Sequence, residues 1–173
     1  FGMRVVHGWG MTETSPLGAV NFVKRELDGL DDNATYAVRA KQGIPPPFVE
    51  LRTVGEKGEA PWDGETMGEL QIRGPWVASG YHELPSESDK WTEDGWFRTG
   101  DIAIIDAHGY MKIADRLKDL VKSGGEWISS VDLENALVAH PAVQEAAVIG
   151  VPHPKWDERP LAVVVLKQGA SAT

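Results

Sequence analysis

Apolar and polar residues alternate in short runs over the first two-thirds of the chain, then switch to helical spacing. Val49, Leu51 and Thr53 alternate with Glu50 and Arg52, and Leu70 and Ile72 alternate with Glu69, Gln71 and Arg73. A period of two predicts half-buried strands at both places. Phe1 to His7, with Met3 and Val5, reads as another short strand. Ile102 to Ile105 is a continuous apolar run closed by Asp106-Ala107-His108-Gly109, and Tyr110 to Ile113 then runs back, a hairpin pattern. Between these runs, Gly8 to Pro16, Asn21 to Lys41, Gly55 to Gly64 and Ser86 to Gly95 are rich in turn formers or polar residues. Asn21 to Lys41 reads as loop and helical turns. Gly43 to Pro47 is a stiff connector, because its three prolines can neither continue a helix nor donate to a ladder. The expected unit is antiparallel and barrel-like.

After Arg116 the pattern changes. Ser129-Ser130 ahead of Asp132 and Glu134 is an N-cap signature. Leu133, Ala136, Leu137 and His140 recur at helical spacing, and Pro141 ends the helix. Val143 to Val151 and Leu161 to Leu166 read as strands. The expected class is α+β, with a boundary in the charged stretch Asp115-Arg116-Leu117-Lys118-Asp119.

With 173 residues and 42% apolar and 25% charged positions, the chain is an ordinary globular one, suited to one domain or two small ones. Its net charge of −9 argues against a general nucleic-acid binder, since phosphate binding wants a positive field. It has no cysteine, which excludes disulfides, thiolate zinc sites and Cys nucleophiles, and is compatible with a cytoplasmic setting. No apolar run approaches the ~18 residues of a transmembrane segment. The chain opens on Phe1 inside an apolar run and reads as a piece of a longer protein. Exposed core faces would then favour a homo-oligomer.

Three segments carry candidate chemistry. In Gly8-Trp9-Gly10-Met11-Thr12-Glu13, the glycines permit close backbone approach to a ligand. Trp9 offers a flat face, Thr12 a hydroxyl, and Glu13 an oxygen to Mg²⁺, which binds through one or two carboxylates plus substrate phosphates. The competing reading is a glycine-rich turn with a surface tryptophan. In Trp96-Phe97-Arg98-Thr99-Gly100-Asp101, the aspartate can accept ribose hydroxyls or simply cap local backbone. Asp115 to Asp119, followed by Lys122-Ser123-Gly124-Gly125-Glu126, offers a planar Arg116 fork and a basic, flexible loop, or only a solvated charge run. His140 and His153 lack metal-ligand spacing. The nucleophile elbow G-x-S-x-G and the phosphate loop G-x-x-x-x-G-K-[ST] are both absent.

Read in order, HGWGMTETSP, GELQIRGPW with GYH, DGWFRTGD and GYMKIADRLKDLVKSGGEWIS resemble the adenylate-forming acyl-CoA synthetase superfamily. The run from Gly124 to Pro160 looks most like its medium- to long-chain fatty-acid–CoA ligases. The resemblance covers nearly the whole chain. It implies that residues 1–115 are the C-terminal part of a large nucleotide-binding domain. It further implies a hinge at 116–118 and the start of a small C-terminal domain at 119–173. It implies formation of an acyl-adenylate from ATP and a carboxylic acid, then acyl transfer to CoA, or alternatively to a carrier-protein thiol. By the same resemblance Trp9 stacks on adenine beside Gly10, Met11 and Ile113, Thr12 contacts phosphate, and Glu13 is linked to Mg²⁺. Asp101 and Arg116 hold the ribose, Lys118 is the hinge, and Lys122, Ser123, Gly124 and Gly125 face the CoA path. The family's phosphate loop and its adenylating lysine are missing here, which implies that this stretch alone is inactive.

Overall fold

A computed structural model describes residues 3, 5–84 and 89–171. They form two compact units, residues 1–113 and 114–173, and the division falls inside one strand. The α+β class expected from the sequence holds. Among the described residues no helix is long and apolar enough to cross a membrane.

The first unit begins with a small ribbon, β1 (Gly8–Trp9) against β2 (Ala19–Val20). A 3₁₀ turn at Thr12–Thr14 lies between them. A second 3₁₀ turn (Arg25–Leu27) and helix α1 (Asp32–Arg39) follow, the helix capped by the Asp31 carboxylate accepting from Ala34 N–H at 2.8 Å. The main sheet has five strands: β3 (Glu50–Gly55), β4 (Gly58–Glu59), β5 (Gly68–Arg73), β6 (Phe97–Ile105) and β7 (Met111–Arg116). Its order is β4-β3-β5-β6-β7. The strands are antiparallel where their register is defined, but β4 and β7 are edges, so the sheet stays open rather than closing as a barrel. Val49, Leu51, Leu70, Ile72, Phe97, Ala103, Ile105 and Met111 form the core. The two-residue period expected around Leu51 and Leu70 places these side chains there.

Among the described residues the strand expected over Phe1–His7 is not seen. Met3, His7 and the two valines between have no strand pairing, and Met3 and Val5 are exposed; residues 1, 2 and 4 lie outside the described residues. The paired strand begins at Gly8, opposite Val20, and Asn21 N–H donates to the His7 carbonyl at 2.8 Å just beyond it. Of the loop expected over Ser86–Gly95, residues 86–88 also lie outside the described residues.

The second unit holds β8 (Val121–Ser123), β9 (Glu126–Ile128), helix α2 (Ser130–Val138), β10 (Val143–His153) and β11 (Asp157–Leu166). The sheet order is β10-β11-β8-β9. The Ser129 hydroxyl accepts from Asp132 N–H at 3.1 Å, which is the N-cap read from the sequence. Helix α2 is tied to β10 by Val148 N–H donating to the Glu134 carboxylate at 2.9 Å. The two long strands pair from Val143↔Leu166 to His153↔Asp157.

Candidate functional site

The β1–β2 ribbon sets Trp9 opposite Ala19 and packs it, half-buried, against the core. Its indole lies over Gly18. A Cβ at Gly18 would stand 2.3 Å from Trp9 Cζ3 and 3.1 Å from Ile72 Cδ1, so the missing side chain makes room for the ring. Gly10 has a different reason. A Cβ there would lie 1.7 Å from the Pro16 carbonyl oxygen, so this glycine serves a close approach within the chain itself. The 3₁₀ turn that follows is held by Thr14. Its hydroxyl accepts from Met11 N–H at 2.9 Å and lies 2.7 Å from the Pro16 carbonyl. The turn leaves Thr12 exposed and Glu13 half-buried, and Met11 packs partly on the core.

Asp101 reaches the same place from the main sheet. Glu69 pairs with Ile102 and Gln71 with Arg98, so Thr99, Gly100 and Asp101 all lie opposite Leu70 alone. Extra residues on one strand make a β-bulge, which bends the strand and re-aims its side chains. Gly100 supplies the left-handed conformation this needs, with φ 72°. The Thr99 hydroxyl donates to the Leu70 carbonyl at 2.8 Å and accepts from Asp101 N–H at 3.1 Å, fixing the bulge. Asp101 is only 6% exposed, and Trp9 Nε1–H donates to its Oδ2 at 2.9 Å. A flat aromatic ring and a buried carboxylate are thus locked together across 92 residues of sequence.

Sequence reasoning missed three residues. Tyr81 donates its hydroxyl hydrogen to Glu13 Oε1. Gly18 cradles Trp9. Asp115, read only as part of a charge run, is buried, and its Oδ2 accepts from Ser130 N–H at 2.7 Å and Ser130 Oγ at 2.9 Å, anchoring the start of α2. Tyr81 follows Gly80 in the GYH motif, which was the available signal. Gly18 and Asp115 gave none.

Trp9, Gly10, Met11, Thr12, Glu13, Asp101 and Ile113 belong to the first unit, and the remaining candidates to the second. Ile113 packs partly on the core while its N–H donates to the Gln42 side-chain oxygen at 2.8 Å. Arg116 ends β7. Its carbonyl accepts from Asp119 N–H at 3.0 Å and Leu120 N–H at 3.1 Å, closing the turn that carries Lys118. Lys122 and Ser123 lie on β8, and the stretch read as a flexible loop is a tight hairpin. Gly124 and Gly125 have φ 61° and 84°, the two left-handed residues that a two-residue hairpin turn demands. Gly124 N–H donates to the Trp156 carbonyl at 2.8 Å, and a Cβ on Gly124 would lie 2.8 Å from the indole.

Residues 1–82 match the AMP-binding enzyme family, and residues 132–173 match the AMP-binding enzyme C-terminal domain. The chain belongs to the AMP-binding enzymes. Within that family it is 55% identical over 166 residues to a long-chain-fatty-acid–CoA ligase of Thermus thermophilus, covering 95% of this chain and 31% of the relative. It is 45% identical over 174 residues to a medium-chain-fatty-acid–CoA ligase of Ectopseudomonas oleovorans, covering 100% of this chain and 32% of that one. Among solved structures, ATP-bound MatB from Rhodopseudomonas palustris superimposes with a TM-score of 0.77 at 36% identity, over 99% of this chain and 32% of its own. The chain spans about a third of the length of the curated relatives it matches.

Proposed function

We propose that this chain is part of an ATP-dependent acyl-CoA synthetase acting on fatty acids. The observation that carries the reading is the Trp9–Asp101 pair: a flat face and a fixed carboxylate 2.9 Å apart, inside an AMP-binding family. A purine stacks on the first, and ribose hydroxyls donate to the second. The carboxylate of the acid attacks the α-phosphorus of ATP, giving acyl-adenylate and pyrophosphate. The CoA thiol then attacks the acyl carbon, and AMP leaves. The relatives' names, long-chain and medium-chain fatty-acid–CoA ligase, favour fatty acids as the acid substrate.

In this reading Asp101 and Arg116 hold the ribose, Ile113 and Met11 line the adenine, and Thr12 donates its hydroxyl to a phosphate oxygen. Lys118 is the hinge, and Lys122, Ser123, Gly124 and Gly125 line the thiol's approach. Glu13 fits a Mg²⁺ held mainly by nucleotide phosphates. Tyr81 occupies one carboxylate oxygen and the other remains for the cation. Among the described residues no cluster of three or more His, Cys, Asp or Glu exists to cage a metal without the nucleotide. The cation would neutralise charge on the phosphates.

The test uses the full-length protein with medium- and long-chain fatty acids, following acid-dependent pyrophosphate–ATP exchange and CoA-dependent AMP release. Asp101→Ala is expected to weaken ATP use by roughly 10- to 100-fold, the loss of hydrogen bonds to a charged group. Hydrolysis of ATP to ADP, or exchange that is indifferent to Asp101, would overturn the proposal.

A further inference from the structure

We propose that Tyr81 is a positioning residue for Glu13, fixing which carboxylate oxygen is offered to a nucleotide-bound cation. This rests on the reading of Glu13 given above and goes beyond it. The segment Ala78–Tyr81 grips Glu13 twice. Ala78 N–H donates to the Glu13 carbonyl at 2.8 Å, and the Tyr81 hydroxyl donates to Oε1. The backbone of Glu13 is therefore held on one side by the 3₁₀ turn and on the other by a segment more than 60 residues away.

The grip is itself braced from the core. The Tyr81 ring meets Trp91 edge-on, with centroids 5.3 Å apart and planes at 74°. Trp91 in turn packs on Phe97, with centroids 4.9 Å apart. Phe97 is a buried residue at the start of β6. Trp91 Nε1–H also donates to the Ala78 carbonyl at 2.8 Å, so the indole fixes both ends of the gripping segment. Aromatic pairs of this edge-on and tilted kind are favourable in their own right. A free glutamate samples several rotamers, and ordering it costs entropy when a ligand binds. Here the Tyr81 bond supplies part of that ordering before the nucleotide arrives, which raises affinity by preorganisation. Because Oε1 accepts from the phenol, Oε2 is the oxygen that would be offered to a cation held by the nucleotide phosphates.

A purely structural tyrosine would alter stability, or nucleotide binding with and without metal alike. A positioning tyrosine alters the metal-dependent part of nucleotide binding and leaves the metal-free part unchanged. The experiment measures ATP binding calorimetrically to full-length wild-type, Tyr81→Phe and Glu13→Gln proteins. Each is titrated in saturating Mg²⁺ and in EDTA, with thermal midpoints recorded alongside. Tyr81→Phe keeps the ring on Trp91 and removes only the hydroxyl. Its expected effect is a loss of about tenfold in affinity for Mg·ATP, the lower end for a hydrogen bond to a charged group. Affinity in EDTA should stay unchanged, and the fall in thermal midpoint from losing a bond that exists without nucleotide should be the same in Mg²⁺ and in EDTA. Mn²⁺ paramagnetic resonance of the Mn·ATP complex should broaden in the same variant, because the Glu13 carboxylate is no longer fixed. If Glu13→Gln matches wild type in Mg²⁺, the metal role of Glu13 falls and this proposal falls with it. If Glu13→Gln is impaired and Tyr81→Phe is not, the positioning role alone is overturned. Equal losses by Tyr81→Phe in Mg²⁺ and in EDTA would overturn it too.

Discussion

Replacing Trp9 with Phe keeps an aromatic ring over Gly18 and deletes one hydrogen-bond donor, the indole N–H that sits 2.9 Å from Asp101 Oδ2. Asp101 is only 6% exposed, so little water reaches it to replace the lost donor. A hydrogen bond to a charged group is worth about 1.5–3 kcal/mol. The single variant will lose more than this, because the smaller ring also leaves space beside Ile72, and large-to-small changes add a cavity cost. A double-mutant cycle with Asp101→Ala removes that extra cost, since the cavity appears in both arms. The expected coupling between Trp9→Phe and Asp101→Ala is therefore about 1.5–3 kcal/mol. The assay is urea unfolding of the four proteins, followed by tryptophan fluorescence. With an m-value of about 2 kcal/mol/M, that coupling is a shift of roughly 1 M in midpoint, well above experimental scatter. If the two substitutions add within about 0.5 kcal/mol, the pair is a coincidence of packing and ring and carboxylate do not form a prebuilt site.

Two further outcomes follow from local geometry. Gly100→Ala meets no atom within 4 Å, so its whole cost is the left-handed backbone, about 1–2 kcal/mol, read as a lower thermal midpoint with weakened ATP binding. Asp63 and Asp94 supply an acid limb. Hydrogen bonds from the Thr66 hydroxyl and from the Thr66 and Glu65 amides hold Asp63 down to about 2 from 3.8. A Thr92 bond and then the Arg52 fork hold Asp94 down to about 2 as well. A carboxyl group depressed on folding adds stability that is present above its unfolded value and lost as pH falls. Stability should therefore decline between about pH 4 and pH 2, and Asp63→Asn should flatten that decline. An unchanged acid profile in the variant would refute the assignment.

Features that depend on near neighbours are legible in the sequence alone. The alternation around Leu51 and Leu70, the Asp106–Gly109 turn and the Ser129 cap are all local, and each appears where the pattern put it. The Gly124–Gly125 hairpin follows a local rule too, but its strands are three residues long, too short for a period to be read. What stayed hidden is non-local. The pairing of β1 is set by Ala19–Val20, the bulge at Asp101 by a register mismatch with β5, and the Tyr81–Glu13 bond by contact across 68 residues. The motifs flagged Trp9, Glu13 and Asp101 as chemistry. They did not say that the first is bonded to the third, nor that the second is gripped by a tyrosine.

The indole over Gly18 ties two alignment columns into a single inherited choice. With 2.3 Å between ring and would-be methyl, a lineage holding tryptophan at position 9 has no route to alanine at 18 by one substitution, whatever codon lies nearby. A smaller ring must come first, and only then does the second position become free to drift. Across relatives, tryptophan at the first column should therefore occur with glycine at the second, while alanine or serine there should appear only beside smaller rings. The order of change is enforced by packing, and it would leave its mark in reconstructed ancestors as a fixed sequence of steps.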